Sequence, residues 1–285
     1  MLSTTKYVVE RKRTIIVKQP NNTNNYLEDY LNKARSKGRY SFTWSEAKSQ
    51  FDISDKALNQ SLYRLKAKKR VAQIRHGFYA IITPEHSSRG MIPVHLFIDD
   101  MMKSLGRRYY VGLISAAALH GAAHQQPMEY FVVTEKPALR DIKNKKLKIN
   151  FYVKKDWSDD DIIQKKTEAG YINVSSPELT ALDLFYYQES FGINKITSIL
   201  KELAEEIKVA NLIKIAKYYP QTPSIQRLGY LLDKELGNPK LSKPLFKILS
   251  DRKHVTVPLS IDKNKEGKVD EKWKVIKNMK VESDL

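Results

Sequence analysis

The spacing of apolar positions between residues 43 and 82 predicts two helices followed by a β-hairpin. Apolar residues recur at helical intervals in a first helix and again in a second helix, which begins at Ser54 and ends near Lys69. The apolar stripes consist of Trp44, Ala47 and Phe51 in the first helix and of Leu58, Leu62 and Leu65 in the second. Two short apolar strands, 71–74 and 78–82, follow on either side of a glycine-containing turn. This order is typical of a winged helix-turn-helix.

Capping signals support the starts of these helices. Thr43 and Glu46 have the spacing of a capping box, in which a hydroxyl and a carboxylate each satisfy a free backbone N–H of the first turn. Ser54 is a favourable N-cap for the second helix. A further helix, at about 26–37, has its apolar residues on one face and is predicted to support the pair.

The polar face of the second helix carries residue types that suit nucleic acid. Asn and Gln can bond an adenine edge in the major groove, and Lys and Arg can hold phosphates. Four residues are predicted to face the groove, five to hold phosphates, and the hairpin tip to reach a minor groove or the backbone. The candidate DNA-binding residues are Lys56, Asn59, Gln60 and Tyr63 at the groove, Lys48, Arg64, Lys66, Lys68 and Arg75 at phosphates, and His76 beside Arg75 at the tip. A small domain with a merely solvated polar face, and a winged helix that binds only proteins, are the alternatives.

The pattern changes after residue 93, where strands and helices are both predicted. The expected helices are 94–105, 110–119, 177–187, 194–207, 209–218 and 223–236, and the expected strands are 129–134, 148–153 and 171–174. The fold class is therefore predicted to be α+β, with an N-terminal winged helix-turn-helix domain followed by a larger mixed α/β C-terminal domain that has a helical C-terminal half. The predicted divisions are a basic N-terminal extension (1–25), the winged domain (26–83), a linker (84–93), the C-terminal domain (94–250) and a polar tail (251–285) that suits a loosely held segment or a late hairpin.

Charge strengthens the nucleic-acid interpretation. The chain has 285 residues and a formal net charge of +18, and residues 1–90 hold 18 Lys and Arg against 7 Asp and Glu. Such a basic field favours polyanions through counterion release. The sequence has no cysteine, which excludes disulfides and thiolate metal sites, and it has no apolar run near the ~20 residues of a membrane span. We expect a cytoplasmic protein with no membrane partner.

Three polar groups in the C-terminal domain are candidates for catalysis or metal binding, but a structural role explains each of them better. His120 and His124 share a helical face without the glutamate of a zinc-protease helix, and the acids 159–161 follow Ser158 as in a capped helix start. Arg227 is interpreted as a buried anchor to a carboxylate such as Asp183 or Asp233, or as a partner contact. We therefore expect no enzymatic activity, cofactor or metal. A winged-helix-targeted enzyme with a metal or nucleotide site on the C-terminal domain, and a protein–protein adaptor, remain alternatives.

Several strings, in this order, resemble the AbiEi-type antitoxins of type IV toxin–antitoxin systems. They are Leu62-Tyr63-Arg64-Leu65, Arg75-His76-Gly77-Phe78-Tyr79, a segment from Tyr109 to Pro127 that includes His120-Gly121-Ala122-Ala123-His124-Gln125-Gln126-Pro127, a segment from Gly170 that includes Ser175-Ser176-Pro177-Glu178-Leu179-Thr180-Ala181-Leu182-Asp183-Leu184, and Gln226-Arg227-Leu228-Gly229-Tyr230-Leu231-Leu232. The resemblance covers residues 26–250.

The resemblance implies a protein with two roles in abortive infection. Such antitoxins repress their own operon by binding double-stranded DNA at inverted repeats in the promoter. They also counter a companion nucleotidyltransferase toxin, generally without a tight complex, and the C-terminal domain supports neutralisation and cooperative DNA binding. The resemblance implies no catalytic residues, and it extends DNA contact to Asn59, Gln60, Tyr63, Arg64, Arg75 and His76 only.

Overall fold

A computed structural model describes residues 26–122 and 129–282. The expected basic extension 1–25 and His124 lie outside these residues. The fold is mixed α+β, as predicted, with two three-stranded sheets, one six-stranded sheet and helices on both faces of the larger sheet. In the part of the chain that is described, no helix is long and apolar enough to cross a membrane.

The first six elements follow the predicted order of helix, helix and hairpin, with an additional strand before the pair. They are α1 (Tyr26–Ser36), β1 (Ser41–Thr43), α2 (Trp44–Ser49), α3 (Asp55–Ala67), β2 (Val71–Arg75) and β3 (Phe78–Ile81). The three strands form an antiparallel sheet in the order β1-β3-β2. The leucine stripe of α3 packs against the apolar face of α1 and against one face of the sheet, and together they form a hydrophobic core.

Both predicted caps are present. The backbone N–H of Thr43 donates to Oε2 of Glu46 at 2.7 Å, and the backbone N–H of Glu46 donates to Oγ1 of Thr43 at 3.1 Å. Oγ of Ser54 accepts from the backbone N–H of Ala57 at 3.2 Å and starts α3. Each cap satisfies backbone donors that the first helical turn leaves free, which is why these short helices begin where they do.

A six-stranded mixed sheet follows, flanked by two short helices. Its elements are α4 (Ile98–Ser104), β4 (Tyr109–Val111), α5 (Leu113–Leu119), β5 (Tyr130–Thr134), β6 (Ile142–Asn144), β7 (Leu147–Val153), β8 (Ile162–Thr167) and β9 (Gly170–Ser175), in the order β6-β7-β5-β4-β9-β8. The prediction of one helix over 110–119 is wrong at its start, because two tyrosines and a valine form β4 and the extended Gly112 separates it from α5. The two edge strands, β6 and β8, were not predicted from the sequence.

The sheet separates two hydrophobic cores because successive side chains of a strand point to opposite faces. Tyr109 and Val111 face a core shared with α4, whereas Tyr110 faces the helices that follow the sheet. Ile74, Phe78 and Ala80 of the first sheet belong to the same core as α4. The segment expected as a linker lies along this contact, where Ile92 is 2% exposed. One apolar core thus joins residues 26–83 to the central sheet.

The C-terminal half is helical, as predicted, with one helix more than expected. The helices are α6 (Pro177–Tyr186), α7 (Ile193–Glu206), α8 (Val209–Tyr218), α9 (Thr222–Tyr230), which continues as a π-helical turn (Leu231–Glu235), and α10 (Pro239–Ser250). The run Gly237-Asn238-Pro239 follows the helix that the sequence predicts over 223–236. It also begins α10, because Oδ1 of Asn238 accepts from the backbone N–H of Leu241 at 3.2 Å and Pro239 occupies the first turn.

Residues 251–282 are an integral part of the fold. They form the strands β10 (Val257–Pro258), β11 (Lys268–Asp270) and β12 (Val275–Lys277), and β11 and β12 are the expected late hairpin. The alternative of a loosely held segment is wrong, because the side chain of Trp273 is fully buried against α9. Gly229 makes this possible, since a Cβ on that residue would lie 2.0 Å from the indole ring.

Gln226 and Arg227 hold the same segment through its backbone. Nε2 of Gln226 donates to the carbonyl of Val255 at 2.9 Å and to that of Trp273 at 3.1 Å, and Nε of Arg227 donates to the carbonyl of Pro258 at 2.9 Å. The predicted carboxylate anchor for Arg227 is therefore wrong; its partner is a carbonyl. Burial without a carboxylate lowers the pKa of Arg227 to about 10.

A carboxylate is buried at the centre of the helical core. Oδ1 of Asp183 accepts from Nζ of Lys154 at 2.5 Å and from the hydroxyl of Tyr219 at 2.6 Å, and Oδ2 accepts from the hydroxyl of Tyr110 at 2.6 Å. Asp183 is 0% exposed and the Lys154 side chain 4%. Burial, followed by the nearby Asp183 charge, raises the pKa of both tyrosines well above the ordinary value, so both hydroxyls remain donors.

Candidate nucleic-acid interface

Helix α3 presents a solvated polar face opposite its leucine stripe. The side chain of Tyr63 is 73% exposed, and Lys56, Asn59, Gln60 and Lys66 are exposed beside it. Because Leu58, Leu62 and Leu65 are buried on the opposite side, the orientation of α3 is set by packing, and its polar face is open to solvent.

A groove of about 1070 Å³ runs beside α3 and the hairpin to the end of α4. Five of the ten predicted residues line it, together with residues that were not predicted to belong to the site. The predicted lining residues are Asn59, Tyr63, Lys66, Arg75 and His76, and the additional ones include Trp44 and Gln73. Lys103 and Leu105, at the end of α4, extend the wall. The structure therefore brings half of the candidate set into one concave surface.

The hairpin is short and is held against α2. His76 and Gly77 form its two-residue loop, in which Gly77 has φ +74°, a conformation that favours glycine. The carbonyl of Gly77 accepts a hydrogen bond from the backbone N–H of Trp44 at 2.7 Å. The tip therefore does not extend far from the body, and Arg75 lies within the groove.

Arg75 carries a shielded nitrogen without a partner. Its Nη1 is buried and makes no hydrogen bond to any residue in the described ranges. A guanidinium N–H removed from water without an acceptor is costly, and a guanidinium that turned toward an anion in the groove would escape that cost. Arg75 is thus a groove residue with a buried donor that the described part of the protein leaves unpaired.

Glu46 and Asp100 both line the groove, and each accepts a hydrogen bond from within the protein, Glu46 from Arg39 and Asp100 from the hydroxyl of Ser41. Nη2 of Arg39 donates to Oε1 of Glu46 at 2.9 Å. Partial burial would raise the pKa of Glu46, but the hydrogen bonds from the Thr43 backbone and from Arg39 outweigh it, and the pKa is lowered. Glu46 therefore stays ionised and paired, and its charge opposes an approaching phosphate less than a free carboxylate would.

The other predicted residues lie outside the groove. Nζ of Lys48 forms an ion pair with Asp55 at 2.8 Å and also donates to the Ile53 carbonyl, and Nζ of Lys68 lies 3.6 Å from Glu28 of α1. Lys56, Gln60 and Arg64 are exposed on α3 but do not line the groove. Lys48 and Lys68 are therefore already engaged within the protein, whereas Lys56 and Gln60 are exposed to solvent on α3.

The candidates in the C-terminal half do not converge. Nε2 of His120 lies 2.7 Å from the carbonyl of Ser175, and burial is the main reason that the pKa of His120 is lowered. The acids 159–161 diverge to separate partners: Asp159 to Arg108 and Asp160 to Lys214, each at 2.8 Å, and Asp161 to the hydroxyl of Tyr218. Among the described residues, no group of three or more His, Cys, Asp or Glu side chains is placed to hold a metal ion.

Comparison with known proteins agrees with part of this picture. Residues 110–234 match the family model of the AbiEi antitoxin C-terminal domain, which confirms the family predicted from the sequence for that part of the chain. The fold is similar to the crystal structure of the RV2827C protein from Mycobacterium tuberculosis, with a TM-score of 0.63 and 14% identity over 87% of this chain and 90% of that one. No significant match was found among curated proteins.

Proposed function

Since residues 110–234 belong to the family of AbiEi antitoxin C-terminal domains, we propose that this chain is an antitoxin that also represses its own operon through residues 26–83. The first role follows from the family. The second is supported by the N-terminal elements, whose order α1-β1-α2-α3-β2-β3 and β1-β3-β2 sheet are those expected of a winged helix. We assign residues 84–93 as the connection, 94–250 as the antitoxin domain and 251–282 as its C-terminal support.

The unsatisfied guanidinium of Arg75 is the observation that carries the DNA proposal. A helix fits the major groove of DNA, and basic side chains around it hold the phosphates. We propose that α3 is the helix that enters the major groove. Lys66 and Arg75 lie in the protein groove beside α3, where they could meet the phosphates. If the guanidinium turns outward into the groove, a phosphate oxygen would supply the acceptor that Nη1 of Arg75 lacks among the described residues.

Replacing Arg75 with alanine is expected to weaken binding to DNA from immediately upstream of the gene by about 1.5–3 kcal/mol, because a charge-assisted contact is lost. The slope of log affinity against log salt should fall by about one phosphate contact. A fluorescence anisotropy titration over a salt series, with shuffled DNA in parallel, measures both quantities. Arg140→Ala, at an exposed arginine before β6, is the matched control. Equal affinity of wild-type protein for both DNAs, or an unchanged Arg75→Ala affinity, would contradict the proposal.

If the chain is an antitoxin as well as a repressor, a single substitution should abolish operator binding and leave toxin neutralisation intact. We propose that the partner is a nucleotidyltransferase toxin encoded beside the gene, countered without a tight complex in the cytoplasm. Arg75→Ala is expected to lose operator binding while still rescuing growth of cells that express this toxin from an independent promoter. Growth assays with wild type, Arg75→Ala and an empty vector test this. Failure of wild-type protein to rescue growth would contradict the antitoxin role.

A further inference from the structure

The amide of Asn59 is held in one orientation by Trp44. Nε1 of Trp44 lies 2.9 Å from Oδ1 of Asn59. An indole N–H can only donate a hydrogen bond, so the amide atom that meets it must be the oxygen. The chemistry of the pair therefore settles which end of the amide faces the indole, and the Nδ2 amino group is left without this partner.

Trp44 is itself fixed at two points. Its backbone N–H donates to the Gly77 carbonyl at 2.7 Å, and its ring packs on the buried core between α1, α3 and the first sheet. Asn59 sits on α3, whose position is set by its buried leucines. Because both ends of the Trp44–Asn59 bond rest on packed elements, the orientation of the amide exists before any ligand arrives, and binding need not spend free energy on ordering it.

Bases differ in the hydrogen-bonding groups that they present to such an amide. Adenine shows a donor beside an acceptor in the major groove, and a bidentate contact with it needs both the oxygen and the amino group of asparagine. Guanine shows two acceptors, O6 and N7, and needs only donors. The bond to Trp44 uses one of the two lone pairs of the Asn59 oxygen and turns that oxygen toward the indole, so Asn59 offers the groove mainly its amino group.

Building on the proposed DNA binding, we propose that Trp44 is a specificity-determining residue that orients Asn59 to read guanine and disfavours adenine at one operator position. Trp44 need not touch the base; it acts through the amide. From the sequence, Trp44 was predicted to be a core residue and Asn59 to bind an adenine edge. The observed hydrogen bond between them suggests a polar role for Trp44 and a different base for Asn59.

The test is selection of binding sites from a randomised DNA pool by the full-length protein and three variants. The position whose preference disappears in Asn59→Ala is the one that Asn59 reads, and we expect guanine there in the wild-type sites. Asn59→Asp keeps an oxygen for Trp44 but places a second oxygen outward, so we expect cytosine at that position, since carboxylates accept from its amino group. Trp44→Phe, which lacks the N–H, should reduce the preference for guanine over adenine there by at least about fivefold, within the range of a bidentate contact. Trp157→Phe, a change of the same kind outside the groove, is the control.

Each outcome of this selection decides a different point. Adenine at the Asn59-dependent position, or an unchanged guanine preference in a folded Trp44→Phe protein, would overturn the inference and leave the proposed function standing. The wild-type and Asn59 results do not depend on any change at Trp44, so they decide the matter even where Trp44→Phe does not fold. A wild-type protein that selects no sequence at all would overturn the proposed function and this inference together.

Discussion

Replacing Asp183 with asparagine is expected to lower the free energy of unfolding by about 3–5 kcal/mol, because it leaves the ammonium of Lys154 buried without a counter-charge. The pair lies at 2.5 Å with side chains 0% and 4% exposed, so water cannot replace the lost carboxylate. Tyr110 and Tyr219 bond different oxygens of Asp183, so only one hydroxyl retains an acceptor in the amide oxygen and the other meets the amide NH2 group, which adds to the loss.

Denaturant unfolding of the purified protein measures this loss, and a double-mutant cycle apportions it. Lys154→Met combined with Asp183→Asn should be less destabilised than the sum of the two single variants, because the double variant contains no unpaired buried charge. Asp160→Asn is the matched control, since that carboxylate pairs with Lys214 at the surface with a side chain 72% exposed, and its removal is expected to change stability little. Similar losses for Asp183→Asn and Asp160→Asn would contradict the account.

Replacing Trp273 with alanine is expected to cost about 3–5 kcal/mol, the range for truncating a large buried aromatic side chain. The indole fills the space over Gly229, and its Nε1 donates to Oδ2 of Asp233 at 3.0 Å. Its removal leaves a cavity that the backbone of α9 cannot close and deprives the Asp233 carboxylate of a donor. The strand segment held by Gln226 and Arg227 should loosen at the same time.

Thermal unfolding together with limited proteolysis of the region after residue 250 checks this second expectation. Val255→Ala is the control, because that side chain is 73% exposed in the same segment, and the free energy of unfolding should change by no more than about 0.5 kcal/mol. A Trp273→Ala protein as stable and as protease-resistant as the wild type would mean that residues 251–282 contribute no packing energy.

Features that depend on near neighbours in the chain could be predicted from the sequence. The capping box of Thr43 and Glu46 and the cap at Ser54 involve residues three apart, so their chemistry is readable without knowing the fold. The leucine stripe of α3 and the helix start at Ser176 belong to the same class. Local signals thus located the groove-facing helix and its polar face.

Features that depend on distant partners could not be predicted. Lys48 and Lys68 are residues of a type that binds phosphate, but the fold places Asp55 beside Lys48 and Glu28 beside Lys68. Strand β8 was missed because an edge strand with one buried neighbour lacks a strong apolar run. The orientation of Asn59 depends on Trp44, fifteen positions earlier, whose ring looked like ordinary core. In each of these cases the outcome depends on which residues tertiary packing brings together.

The core that α4 shares with Ile74, Phe78 and Ala80 has a consequence for how this protein can evolve. If residues 26–83 were exchanged for the corresponding part of another protein, the incoming sheet would carry an apolar face that must match an unfamiliar α4, and mismatched faces would expose hydrophobic surface. Under the proposed DNA binding, recombination of domains is therefore a poor route to a new operator. Substitution on the solvated face of α3 is the open route, and changes of operator preference should be concentrated there.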